Sequence, residues 1–104
     1  MSGFQPEDTG STPVTRSMFY VYFLLLNNKK IYTGFTDDLR RRFEEHQNGK
    51  VISTKNKRPI TLIGYESYQK KSDAMRREKF LKTTEGKRLF RQQYRDILKE
   101  NNYL

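Results

Sequence analysis

From Met18 to Leu26 the chain runs through nine consecutive apolar or aromatic positions, MFYVYFLLL. A run of that length without alternation reads as a strand buried on both faces. Asn27-Asn28-Lys29-Lys30 then reads as a turn and Ile31–Phe35 as the returning strand of a hairpin. Loop parity decides which side chains share a face. A clean four-residue loop pairs position 22 with 35 and sets Tyr22 and Tyr32 on opposite faces. An odd loop, or a bulge at Gly34, brings them together. The pattern next changes period. Thr36 reads as an N-cap, with Asp37 and Asp38 facing the positive end of a helix dipole, and the helix runs to Asn48 with Gly49 as its stop. With Leu39 at 0°, Phe43 falls at about 40°, His46 at about −20° and Arg42 at about −60°. His46 therefore lies on the inward stripe and Arg42 on its border. Arg40, Arg41, Glu44 and Glu45 point outward.

Lys50–Arg58 is a basic loop, and Pro59 introduces a third strand, Ile60–Ser67. Ser72 reads as the cap of a second helix from Asp73 to about Thr84. With Ala74 at 0°, Leu81 falls at about −20° and Glu78 at about 40°, so a carboxylate sits inside the apolar stripe. Burying it requires an ion pair, a proton or a metal. A salt bridge to Arg42 or Arg77 is the non-catalytic way to meet that need. A last helix from about Glu85 to Asn101 turns Leu89, Tyr94, Ile97 and Leu98 inward. The order β-β-α-β-α-α predicts an α/β fold of the α+β type: a small three-stranded antiparallel or mixed sheet flanked by helices. Residues 1–17 are rich in Gly, Ser, Thr and Pro and read as a disordered arm before a single domain over 18–104. Codons for Gly10-Ser11-Thr12-Pro13 can spell the kind of stretch found in transfer-RNA T-arms, which makes Met18 an alternative first residue.

Charge sharpens this picture. The 104 residues carry a formal net charge of +9, and the arm contributes only Arg16 against Glu7 and Asp8, so the domain carries +10. A field of that sign gathers polyanions without reading sequence. Aromatic residues make up 13%, too many for a disordered tail. There is no cysteine, which removes disulfides, thiolate catalysis and cysteine-based zinc sites. The apolar run Met18–Leu26 is too short to cross a bilayer, and no basic segment precedes a cleavable apolar stretch. A cytoplasmic protein is the expectation.

Tyr20-Val21-Tyr22, Tyr32-Thr33-Gly34, Leu39, Arg42, His46 and Arg76-Arg77-Glu78-Lys79 together resemble a GIY-YIG nuclease domain. That family includes some homing endonucleases and the 3′-incision half of the bacterial excision-repair nuclease. The likeness extends over Tyr20–Leu81 and is greatest to the small stand-alone members. Tyr20 replaces the first Gly of the motif and Thr33 its second Ile, both at structural positions. The resemblance implies an endonuclease that cleaves DNA with a single Mg²⁺, or Mn²⁺, leaving a 5′-phosphate and a 3′-hydroxyl. It assigns Tyr22 or Tyr32 to water activation, Arg42 to the scissile phosphate, His46 to assistance and Glu78 to the metal. A free phenol is a poor base at neutral pH unless positive charge lies near. An arginine suits phosphate. Mg²⁺ needs only one or two protein carboxylates.

Two departures bear on phosphate grip. Phe35 stands where several relatives have a basic residue. Phe90-Arg91-Gln92-Gln93 lacks the asparagine that several carry beyond the glutamate. The grip is therefore expected from Arg41, Lys55, Lys57, Arg58 and Arg77. The rival readings are a non-catalytic nucleic-acid-binding module of the same fold and an interaction or membrane-surface protein. The narrow stripe around Leu39 and Phe43 speaks against the last. With no zinc-finger spacing and no added DNA-reading unit visible, low sequence specificity is expected. Branched, nicked or flapped DNA, a role in DNA repair, a monomer and a partner that lends specificity complete the expectation.

Overall fold

The computed structural model describes residues 17–103. The expectations for an arm over 1–17 and for Met18 as first residue fall almost wholly outside those residues. The element order is β1 (Phe19–Leu25), β2 (Ile31–Thr36), α1 (Leu39–Gln47), β3 (Thr61–Tyr68), α2 (Lys71–Leu81), α3 (Thr84–Gln93) and α4 (Arg95–Glu100), with a short 3₁₀ turn at Lys55–Lys57 between α1 and β3. The three strands form an antiparallel sheet in the order β2-β1-β3. The long apolar run is thus the central strand. Val21, Tyr22, Phe23 and Leu24 alternate between its two faces, and all four are buried.

The hairpin resolves the question of parity. Leu26 N donates to Lys30 O at 2.9 Å and Lys29 N to Leu26 O at 3.0 Å, which leaves Asn27-Asn28-Lys29 as a three-residue loop. Lys29 takes the left-handed conformation, φ 69°, that such loops place in this position. An odd loop pairs Tyr22 with Gly34 and Leu24 with Tyr32. The two tyrosines are diagonal neighbours on one face.

That face and its opposite carry separate apolar clusters. Val21 and Phe23 pack with Ala74, Leu81, Phe90 and Leu98 from α2, α3 and α4. Tyr22, Leu24 and Leu26 pack with Tyr32, Leu39 and Phe43, so α1 covers the tyrosine face. Helices therefore cover both sides of the sheet, and no helix among the described residues is long and apolar enough to cross a membrane.

Several local expectations change. Asp38, not Thr36, caps α1, accepting from Arg41 N at 3.1 Å, while the Thr36 hydroxyl accepts from Asp38 N to shape the turn before it. Gly49, at φ 75°, follows the C-cap as expected. The third strand is displaced by one residue, to Thr61–Tyr68. The second helix begins at Lys71 without a side-chain cap. The last helix is two: α3 ends at Gln93, and Tyr94 leaves helical geometry to stack on Phe90, ring centroids 4.4 Å apart. Leu89 is exposed rather than inward. The cause is Gly86, where a Cβ would come within 2.7 Å of Leu81 Cα. That close approach turns Gly86 and Phe90, one helical turn apart, toward the core. Leu89 is then about 100° away from Phe90.

Candidate active site

Register builds the first half of the site. Tyr22 and Gly34 are partners across β1 and β2, and the Tyr22 ring lies over the glycine. A Cβ at position 34 would fall 2.8 Å from Tyr22 Cε1, so only glycine leaves room for the phenol. The ring extends toward α1, where the Tyr22 hydroxyl meets His46 Nε2 at 2.8 Å. His46 Nδ1 meets Thr54 Oγ1 at 2.7 Å on the other side. His46 and Thr54 are fully buried and Tyr22 is 1% exposed. Tyr32 completes the cluster, its ring centroid 5.1 Å from His46 and 6.2 Å from Tyr22. It is half-buried, so it is the phenol open to solvent.

Arg42 lies one turn before His46 on α1. Its side chain is 35% exposed, and Nη1 donates to Glu45 Oε1 at 2.9 Å. The positions inferred for His46 on the inward stripe and Arg42 on its border are those observed.

Burial sets the protonation states. It pushes the Tyr22 phenol up to about 12, with the Arg42 guanidinium pulling the other way. It pushes His46 down to about 4, and the positive charge of Arg42 adds to that fall. At neutral pH the pair is a phenol and a neutral imidazole. A neutral imidazole has one donor and one acceptor nitrogen. The two bonds of His46 therefore run in one direction, from Tyr22 to Thr54 or from Thr54 to Tyr22.

Glu78 belongs to a different layer. α2 packs on the face opposite α1, and the Glu78 side chain is 22% exposed. Its ion-pair partner is Lys82, Oε2 to Nζ at 2.9 Å, rather than Arg42 or Arg77. Among the described residues no hydrogen bond or ion pair joins Glu78 to Tyr22, Tyr32, Arg42 or His46. The structure thus brings four of the five expected groups together and sets the carboxylate apart.

The donor set answers which metals fit. Among the described residues no three His, Asp or Glu side chains gather as ligands. A cation that demands an all-protein cage does not fit. A hard cation that keeps its waters and takes one carboxylate fits Glu78, whose present partner is an exposed lysine held weakly.

The expected phosphate-gripping cations divide. Lys55 and Lys57 are exposed on the 3₁₀ turn. Arg41 is exposed and loosely paired with Asp37 at 3.5 Å and Glu45 at 3.8 Å. Arg58 is engaged with its own chain, Nε to Lys55 O and Nη1 to Gln47 O, each 3.1 Å, and this clamps the loop that carries Thr54. Arg77 holds Glu66 by two bonds, 3.0 and 3.3 Å. Each guanidinium spends two of its five N–H donors on those bonds and has three left for a phosphate. Thr54 was not singled out from the sequence. It lies in a loop where periodicity says nothing. The one available signal was that an inward-facing His46 needs a partner for its second nitrogen.

Comparison with known proteins identifies the family. The family model for the GIY-YIG catalytic domain matches residues 18–94. A UPF0213 protein of Clostridium perfringens is 31% identical over 87 residues, 83% of this chain and 94% of that protein. One from Staphylococcus epidermidis is 40% identical over 65 residues, 62% of this chain and 79% of the other. The solution NMR structure of a UPF0213 protein from Bacillus halodurans has 32% sequence identity. It covers 70% of this chain and 81% of that one, with a TM-score of 0.47. The chain belongs to the GIY-YIG family, with the nuclease-type domain that defines it.

Proposed function

We propose that the chain is an endonuclease that hydrolyses DNA phosphodiester bonds with one Mg²⁺, or Mn²⁺ in its place, held through Glu78. The observation that carries this reading is the convergence of two phenols, a guanidinium and a neutral imidazole on one face of a small sheet in a strongly basic domain. Glu78 would hold the metal, and the metal would supply charge stabilisation to the phosphate.

The protein's own groups divide the remaining work. Arg42, at the border of the site, holds a non-bridging phosphate oxygen and offsets charge that grows in the transition state. Tyr22 is a poor base by itself. With its phenol at about 12, only about one molecule in 10⁵ is ionised at pH 7. His46 is neutral and basic at one nitrogen, but it is sealed from solvent. The two act in series. As the Tyr22 oxygen, itself only 1% exposed and reached only by a water that enters past Tyr32, accepts that water's proton, its own proton crosses the 2.8 Å hydrogen bond to His46 Nε2. That route uses the tautomer with a proton on Nδ1, which donates to Thr54 Oγ1. Tyr32 borders the same centre from the solvent side and orients the water.

The second reading is a DNA-binding module that does not cut. The Glu78–Lys82 pair favours it, because an ammonium occupies the carboxylate. One experiment separates the two: incubation of supercoiled plasmid and of branched DNA with wild type and Glu78→Gln, in Mg²⁺ and in Mn²⁺. The nuclease reading expects nicking by wild type and loss of nicking with retained DNA binding in the variant. Wild type that binds but never nicks either substrate establishes the binding module.

A further inference from the structure

Beyond the tyrosine cluster, the outer edge of β2 borders a groove of about 500 Å³. Its lining includes the apolar Ile31, Leu81 and Phe90, and also Tyr32 of the candidate site. Lys30 rises from the hairpin on one side. Lys82, at the C-cap of α2, and Lys87 and Arg91, on α3, rise from the other. Tyr103 also lines it. The groove is braced across its two sides. Lys29 Nζ donates to Asn101 O at 3.0 Å, tying the hairpin to the turn after α4, and Tyr103 N donates to Leu98 O at 2.8 Å.

Of the four cations of this groove, Lys82 is paired with Glu78 and the other three are not used by the fold. Lys87 and Arg91 are one helical turn apart, a like-charged spacing that opposes the helix they belong to. Among the described residues, the side chains of Lys30, Lys87 and Arg91 have neither ion-pair nor hydrogen-bond partners. A fold gains nothing from setting three unpaired cations around an apolar trough. A polyanion with flat apolar faces gains from both features at once.

Size and chemistry together choose the occupant. A volume of about 500 Å³ matches ligand-scale pockets and admits roughly one or two nucleotides, not a double helix. Bases inside a duplex are stacked on each other, whereas unpaired bases are free to stack on aromatic side chains, with cations following the backbone. We propose that this groove binds a single unpaired DNA strand, with Lys87 and Arg91 on its phosphates and Tyr103 against a base. Tyr32 joins the groove to the candidate active site, so the strand it holds runs to the scissile phosphate. The inference rests on the nuclease reading for that last connection only. The binding itself stands apart from cleavage.

The test is fluorescence anisotropy of the full chain in EDTA, where no cutting occurs. The probes are a thymidine oligonucleotide of about fifteen nucleotides and a blunt duplex of equal length. Lys87→Ala/Arg91→Ala should weaken single-strand binding at least tenfold and reduce its salt slope by about 1.4, two contacts at about 0.7 each. Tyr103→Leu, which keeps apolar bulk, should weaken it about fivefold or more. Duplex binding should change less than twofold in both. Arg88→Ala, on α3 but paired with Glu85, should change neither. Thermal midpoints equal to wild type show that the variants fold. The inference is overturned if the double variant binds the single strand as tightly as wild type, or loses single strand and duplex in equal measure. If the wild type cuts no DNA while these binding changes appear, the groove stands and the nuclease reading falls. If it cuts and the changes are absent, the reverse holds.

Discussion

On the α1 side of the sheet, Tyr22, His46 and Thr54 are sealed from solvent and joined by bonds of 2.8 and 2.7 Å. On the α2 side, Glu78 meets Lys82 at 2.9 Å through side chains 22 and 56% exposed. The first set is neutral, fixed and part of the folded core. The second is a charged pair of a largely covered carboxylate and an exposed lysine. Rigid neutral groups keep their geometry without a ligand, which is what a proton path requires. Exposed charges change partners readily, which is what recruiting a cation and a phosphate requires. The same substitution chemistry should therefore act on stability on one side and on activity on the other.

Glu78→Gln should have the largest effect and only on activity. Removing the proposed metal anchor withdraws several kcal/mol of charge stabilisation, a loss on the order of 10³-fold in nicking rate. The thermal midpoint should stay within about 1 °C, because the Lys82 pair contributes only tenths of a kcal/mol. A fall of several degrees would mean that Glu78 is structural after all, and the comparison would break. Gly34→Val should do the opposite. Its side chain enters the space of a Tyr22 ring that cannot withdraw, since the phenol is buried and bonded to His46. The expected cost is about 3 kcal/mol in urea unfolding, with nicking lost because the phenol is displaced.

His46 links stability to pH. Its ordinary value is 6.5 and its folded value about 4, so between those values the unfolded chain binds the extra proton. Stability is complete above pH 6.5 and falls as pH drops toward 4, by about 3 kcal/mol in all. Melting between pH 7 and 4 should show this fall, and His46→Gln should flatten it. The nicking rate of wild type should show no inflection near 6.5. An inflection there would place His46 in water and remove it from the sealed network.

Thr54→Val should act in the same place with a smaller effect. It leaves one imidazole nitrogen unpartnered in a sealed pocket, at about 1–3 kcal/mol, and Thr54→Ser should restore most of that. Because His46 is the only histidine in the chain, nitrogen chemical shifts report its tautomer without ambiguity. Wild type should show one tautomer and Thr54→Val a mixture. An unchanged single tautomer would show that Thr54 does not orient the ring.

The two sides also differ in how far the sequence discloses them. α1 was legible because helical spacing carries Leu39, Phe43 and His46 to one side and Arg42 to its border, whatever the tertiary context. The shared face of Tyr22 and Tyr32 was not legible, because it turns on a single residue of loop length and the left-handed Lys29. Thr54 was hidden for a related reason, since its partner is eight residues away across an irregular loop. Glu78 was placed inside an apolar stripe, and its side chain is 22% exposed, yet its partner was misread. Arg42 and Arg77 were nearer in chemistry, but Lys82 is nearer along the helix, at i+4. Leu89 failed because helix phase followed Gly86, whose role lies in a contact that no periodicity records.

Lys82→Met gives the smallest effect and the finest test. The exposed pair contributes a few tenths of a kcal/mol, so the melting temperature should barely move. The ammonium also competes with any cation for the Glu78 carboxylate. Removing it should lower the Mg²⁺ concentration needed for half-maximal nicking by about two- to fivefold, the few tenths to one kcal/mol that such a pair represents. A shift in the other direction would assign Lys82 to phosphate binding and not to the carboxylate. No shift at all would mean that the metal does not meet Glu78, and the charged half of the site would lose its proposed purpose while the sealed half kept its own.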